Sequence, residues 1–160
     1  MRRAVVWLSL LLTAAPATAQ DAPTPFDEPV VETVAGAGRI VAAVRSADEH
    51  VFYVTPEVRS RALADELARL SSRVDVYVVV AGGSTDLAAP LTAAGVQVRT
   101  LPRVAEGLLL VDYTELFVGG VLSGLGDSAT FVDLEAYGND VMVQQLRGLW
   151  QAATPYENLP

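Results

Sequence analysis

Two runs of β-branched and aromatic residues constrain this chain most, VFYV at 51–54 and VDVYVVV at 74–80. The second is a near-continuous apolar strand, of the kind covered on both faces. Such a strand belongs inside a layered domain with helices on either side. The segment between the two runs supplies one of those helices. Thr55-Pro56-Glu57 reads as its start, with Thr as cap, Pro in the first turn and Glu at the positive end of the dipole. Val58, Leu63, Leu67 and Leu70 then fall close to one face.

The same alternation extends in both directions. Residues 32–46 place Val34, Ile40, Ala43 and Val44 near helical spacing, which predicts a short amphipathic helix. Gly82-Gly83 ends the second strand, Asp86 to Ala94 forms a short helix stopped by Gly95, and VQVRT (96–100) is the next strand. This order predicts an α/β domain whose early strands run parallel. LLLVD (108–112) and ELFVGGV (115–121) pair as a hairpin about a turn at Tyr113-Thr114, SGLGDSAT (123–130) is a loop, and FVDLEAY (131–137) is a strand. Asn139 to Ala153, with Val141, Leu146, Leu149 and Trp150, closes the fold as an amphipathic helix.

The first segment reads as an address. Arg2 and Arg3 precede the apolar run AVVWLSLLLTAA, then come Pro16 and the small-x-small site Ala17-Thr18-Ala19. That order is a secretory signal peptide, residues 1–19, and the apolar run is too short for a helix to span a hydrocarbon core. Export to the periplasm or the exterior follows as an expectation, with no stable membrane insertion after cleavage. Residues 20–33, with Pro23, Pro25 and Pro29, read as a flexible lead. Residues 34–153 are the folded unit and 154–160 a frayed tail.

Composition closes off several chemistries. The 160 residues hold 11 Lys+Arg against 19 Asp+Glu, a net charge of −8. Every base is Arg, there is no Cys, and the one imidazole is His50. Disulfides, thiolate metal sites and a Cys nucleophile are excluded. So is any site built within one chain on a histidine pair. The acidic balance argues against nucleic acid and anionic lipid as partners.

The framework over residues 34–153 resembles one half of a phospholipase D superfamily enzyme. The resemblance is carried by VFYVTPEVRSRALADELARLSSRVDVYVVV, by LTAAGVQVRT, and by LLLVDYTELFVGG followed by a terminal helix ending in Trp150. It implies a phospholipase D-like α/β/α sandwich with a mixed sheet, in which two halves meet around a phosphodiester. The family's hairpin carries H-x-K-x-x-x-x-D, then Gly-Ser and an Asn. Asp112 matches the motif Asp. Counting back, Ala105 stands at the His position and Gly107 at the Lys position, with Glu106 between them. Gly119 and Gly120 stand at the Gly-Ser pair, and the Asn position falls near Ser123. The resemblance thus implies a homodimer or a phospholipase D-like partner. It also implies that the reaction is lost, because an imidazole nucleophile and phosphate-binding cations are missing. Neither a metal nor a cofactor is expected.

Other candidates carry weaker chemistry. Gly82, Gly83 and Ser84 lie between a strand and a helix, where backbone N–H groups can hold an anion; a plain capped turn is the commoner outcome. Asp112, Glu115, Asp127, Asp133 and Glu135 supply hard oxygen donors for a carboxylate-bound metal, which would make a hydrolase the alternative function. Ser123 lacks the flanking glycines of a nucleophile elbow. His50 reads as a surface residue between helix and strand.

Overall fold

A computed structural model describes residues 30–82, 86–135 and 140–156. Eight strands and four α-helices form three layers. The strands are β1 (Val31–Ala35), β2 (His50–Thr55), β3 (Asp75–Ala81), β4 (Gln97–Leu101), β5 (Leu108–Val111), β6 (Glu115–Val118), β7 (Ser128–Asp133) and β8 (Thr154–Pro155). The helices are α1 (Gly38–Ser46), α2 (Arg61–Leu70), α3 (Ala88–Ala93) and α4 (Asp140–Ala152). A short 3₁₀ turn, Gly120–Leu122, follows β6. The sheet order is β1-β7-β6-β5-β2-β3-β4-β8. β2, β3 and β4 run parallel, as the alternation implied, and the remaining pairings are antiparallel. The fold is therefore a mixed-sheet α/β/α sandwich.

Side-chain alternation divides the core in two. Val51, Tyr53, Val76, Val78, Val80, Leu109 and Phe117 pack with Ile40, Val44, Leu63, Leu67 and Leu91 of α1–α3. The opposite set, Phe52, Val54, Val79, Leu110, Leu116 and Val132, packs against α4 through Leu146. Among the described residues no helix is long and apolar enough to cross a membrane.

Several boundaries differ from the expectation. The segment 32–46 is two elements rather than one helix. Val31–Ala35 pairs with β7, and Gly36 at φ +67° turns the chain into α1. Residues 31–33 of the expected lead thus belong to the sheet; residues 1–29 lie outside the described residues, and the expected signal peptide with them. Thr55 does not cap α2. Its hydroxyl bonds the carbonyl of Glu57 at 2.7 Å, a local turn, and Ser60 caps instead by accepting from the Leu63 N–H at 3.3 Å. The strand expected at 131–137 starts earlier, at Ser128, because pairing with β1 and β6 takes in the small residues before Phe131. The expected tail begins as β8, whose Thr154 and Pro155 pair with β4.

Candidate functional site: the β5–β6 hairpin and its two ends

The hairpin β5–β6 is the element on which the family's chemistry would stand. At its turn, Asp112 (φ +47°) and Tyr113 (φ +61°) both lie in the left-handed region, and the Thr114 N–H donates to the Val111 carbonyl at 3.0 Å. This places the turn one residue earlier than Tyr113-Thr114. Asp tolerates positive φ better than most residues, whereas Tyr there is uncommon.

The Asp112 carboxylate is turned toward the backbone. Its carboxylate accepts the backbone N–H groups of Asp48 (2.9 Å), Glu49 (2.9 Å) and His50 (3.0 Å). Its own N–H donates to the His50 carbonyl at 3.0 Å. The side chain ties the hairpin turn to the start of β2. Partial burial pushes its pKa up. The three N–H donors and nearby His50 together outweigh that and hold it below the ordinary carboxylate value.

The open end of the hairpin is filled. The Gly119 N–H donates to the Gly107 carbonyl at 3.0 Å. A Cβ built on Gly107 would stand 2.6 Å from the Leu122 Cβ and 2.9 Å from the Gly119 carbonyl oxygen. A side chain at residue 107 therefore has no room. Gly119 (φ +149°) lies so close to β7 that its Cβ would stand 2.9 Å from the Ser128 carbonyl oxygen, and one on Gly120 would stand 3.0 Å from the Gly126 nitrogen. Leu122 is 1% exposed. Its carbonyl accepts from the Tyr53 hydroxyl, itself fully buried, and burial pushes that phenol up to about 12 against a weaker hydrogen bond with Thr55. Ser123 is buried too, and its Oγ donates to the Gly120 carbonyl at 3.1 Å. Ala105 and Glu106 are exposed beside this end. Arg59 packs under Gly124, but its Nε is bound to Glu57 at 2.6 Å. The 3₁₀ turn thus packs an apolar side chain and backbone against Gly107 at this end of the hairpin.

His50 corrects the sequence reading most sharply. It is a β2 residue, 7% exposed, and not a surface loop residue. It lies at the turn end of the hairpin, roughly 15 Å from Gly107 at about 3.3 Å of rise per residue. Its ring centroid is 3.3 Å from that of Tyr113. Burial holds the imidazole pKa below its ordinary value, opposed by the charges of Asp112, Glu49 and Asp75. Period-two alternation puts residues 50, 52 and 54 on the α4 face, and His50 extends that pattern by one step before VFYV.

The acids do not assemble into a metal site. Among the described residues no group of three or more His, Asp or Glu could hold an ion. Glu115 and Asp133 oppose each other across β6–β7, where burial pushes Glu115 up, eased by Arg39 and reinforced by Asp112 and Asp133. Asp127 is exposed, and Asp133 accepts from the Glu135 N–H at 2.9 Å in a local turn. Of the anion-site candidate, Gly82 donates its N–H to the Leu101 carbonyl at 2.8 Å, while Gly83 and Ser84 lie outside the described residues.

No protein-family model and no curated protein matches the chain. Solved structures do. A phospholipase D family member, Nuc from Salmonella typhimurium, superposes with a TM-score of 0.66 at 17% identity over 81% of this chain and 99% of its own. NucT from Helicobacter pylori gives 0.65 at 11% identity over 81% and 100%. TrmBL2, an archaeal chromatin protein described with a novel mode of DNA binding, gives 0.59 at 11% identity, covering 95% of this chain and 59% of its own. The layers, the strand order and these superpositions agree, and the chain has the phospholipase D-like fold.

Proposed function

We propose that this protein is an exported domain of phospholipase D-like fold that has lost catalysis and works as a binding or structural module. The observation that carries the reading is the filled hairpin end. Gly107 has no space for a side chain, and Leu122 occupies the volume above it. The cation packed under Gly124 at this end, Arg59, is held by Glu57, and Glu106 adds like charge. The lone imidazole sits at the other end of the hairpin.

Export rests on the leader pattern of residues 1–19. The partner class we put forward is a second copy of this chain or a related domain with an intact motif, because the family fold works in pairs of halves. Nucleic acid is disfavoured by the net charge of −8, whatever an archaeal neighbour of the same fold binds.

The test is a phosphodiester reporter incubated with the homogeneous protein. Turnover should equal that of buffer alone. Turnover above buffer that disappears on His50→Gln, the only imidazole, would overturn the inert reading.

A further inference from the structure

The two margins of the sheet are finished differently. At one, β4 is followed by β8, a strand of two residues whose Pro155 carries no N–H. A very short outer strand with a proline guards a sheet against further pairing. At the other margin stands β1, five residues long, and among the described residues no strand lies beyond it. It holds no Lys and no Pro, and its register with β7 runs from Val31 to Ala35 without a bulge. Its one charge, Glu32, is already paired with Arg39 of α1. Val31, Glu32, Thr33 and Ala35 are exposed, as is Val30 before them.

The register tells which backbone groups point outward. In an antiparallel ladder, residues alternate between bonding a neighbour and facing away from it. The Val30 carbonyl accepts from the Asp133 N–H at 3.2 Å, and the Gly36 N–H donates to the Asp127 carbonyl at 2.7 Å. With a constant register between them, Glu32 and Val34 also bond β7, and the N–H and C=O groups of Val31, Thr33 and Ala35 face outward. These three positions are symmetric about Thr33. An antiparallel second copy centred there sets Thr33 against Thr33, and Val31 against Ala35 in both directions, for about six hydrogen bonds. Centring the pair on residue 32 or 34 leaves about four, and on residue 32 it also sets two Glu32 carboxylates face to face. The chain's own upstream residues are poorer occupants, because Pro23, Pro25 and Pro29 interrupt the donors of residues 20–29.

We propose that two copies of this chain join edge to edge through β1, antiparallel about a two-fold axis at Thr33, and so continue one sheet across the pair. The assembly stops at two copies, since both outer margins are then β8. It gives the second copy put forward above a docking site, but it stands on β1 and not on the filled hairpin end, so the phosphodiester assay and the pairing fail independently.

The absence of Cys from the chain makes the register testable. Thr33→Cys should cross-link to its own copy under mild oxidation, because a hydrogen-bonded antiparallel pair holds Cα atoms about 5.5 Å apart, within disulfide reach. Ala35→Cys alone should not, its two copies standing roughly 14 Å apart, whereas a mixture of Val31→Cys and Ala35→Cys proteins should. Sedimentation velocity of the parent from about 1 to about 300 μM should show a monomer–dimer equilibrium, as suits a small interface. Thr33→Pro removes an outward N–H without touching the β7 ladder, and should raise the dissociation constant at least about tenfold with little change in the urea midpoint. Thr33→Val, which keeps the N–H, should dimerise like the parent. A parent that is monomeric throughout overturns the proposal. So does a dimer that Thr33→Pro leaves as tight, or equal cross-linking by Thr33→Cys and Ala35→Cys.

Discussion

Asp112 and His50 are joined through backbone and titrate in the same direction for stability. The Asp112 carboxyl is held below its ordinary value when folded, so the unfolded chain binds its proton more readily. Its contribution is present above the ordinary aspartate range and is lost as pH falls through the folded value. Three N–H groups lose their acceptor in Asp112→Ala, and an unfolding free energy lower by about 2–4 kcal/mol is expected from urea melts at neutral pH. His50 is a base whose folded pKa is lowered, so folding favours its neutral form. Its contribution is complete above the ordinary imidazole value and declines as pH falls below about 6.5. Stability should therefore fall in two steps on acidification, the first near neutrality and the second in the carboxylate range. His50→Gln should flatten the first step and leave the second, measured as urea midpoints from about pH 8 down to about pH 3. A first step that persists in the variant would show another group at work. Asp112 was legible in the sequence because it ends an apolar run at a turn, although its partners, residues 48–50, were not. His50 has no such signature, because the polar run Ser46-Ala47-Asp48-Glu49 looks like a loop that continues through it. Backbone donors fixed on Asp112 pull the strand start back to residue 50, and no local pattern reports that.

Glycines in this chain have opposite meanings according to the element that holds them. Gly107 lies where β5 begins, and an added Cβ meets Leu122 and the Gly119 carbonyl at distances that side chains do not adopt. Gly148 lies inside α4, with nothing within 4 Å of an added Cβ. Gly107→Ala should then destabilise by about 1–3 kcal/mol through overpacking. Gly148→Ala should stabilise by about 0.5–1 kcal/mol through lower unfolded-state entropy and better helix propensity. The pair is read in parallel by thermal and urea unfolding. A Gly107→Ala variant as stable as its parent would show that the 3₁₀ turn yields easily, and would remove the steric basis of the filled centre. Elements with a local signature were legible. The apolar runs became β2, β3 and β5, the face of Leu63, Leu67 and Leu70 became α2, and Gly95 at φ +92° ends α3 as a left-handed stop. β1 and β8 were not legible, because each is a short segment defined by a distant partner: β7 for the first, β4 for the second. Pairing with those distant partners makes them strands. The 3₁₀ turn after β6 escaped for a related reason, since its shape depends on Gly107 and Tyr53 from other elements.

The two faces of the sheet are covered unequally, and this sets where the molecule should open first. α1 and α2 bury seven side chains between them, Ile40, Ala43, Val44, Leu63, Ala64, Leu67 and Leu70, and α3 adds Ala88 and Leu91. α4 buries only Leu146, with Met142, Leu149 and Trp150 half-covered. Much of its attachment passes through Arg99. That guanidinium lies 4.4 Å over the Trp150 ring and donates to the Trp150 and Ala153 carbonyls at 2.8 and 3.4 Å. A cation on the last carbonyls of a helix offsets unsatisfied acceptors and favours the negative end of the dipole. Regions with little buried apolar surface open below the global free energy, whereas a strand covered on both faces opens only with the whole. Native-state hydrogen exchange should therefore find α4 amides exchanging at a lower opening free energy than those of β2 and β3. Arg99→Ala should lower the α4 value further, by about 1–2 kcal/mol, while leaving β2 and β3 shifted by less. Equal shifts in all three elements would mean that Arg99 supports the global fold and that α4 does not open by itself.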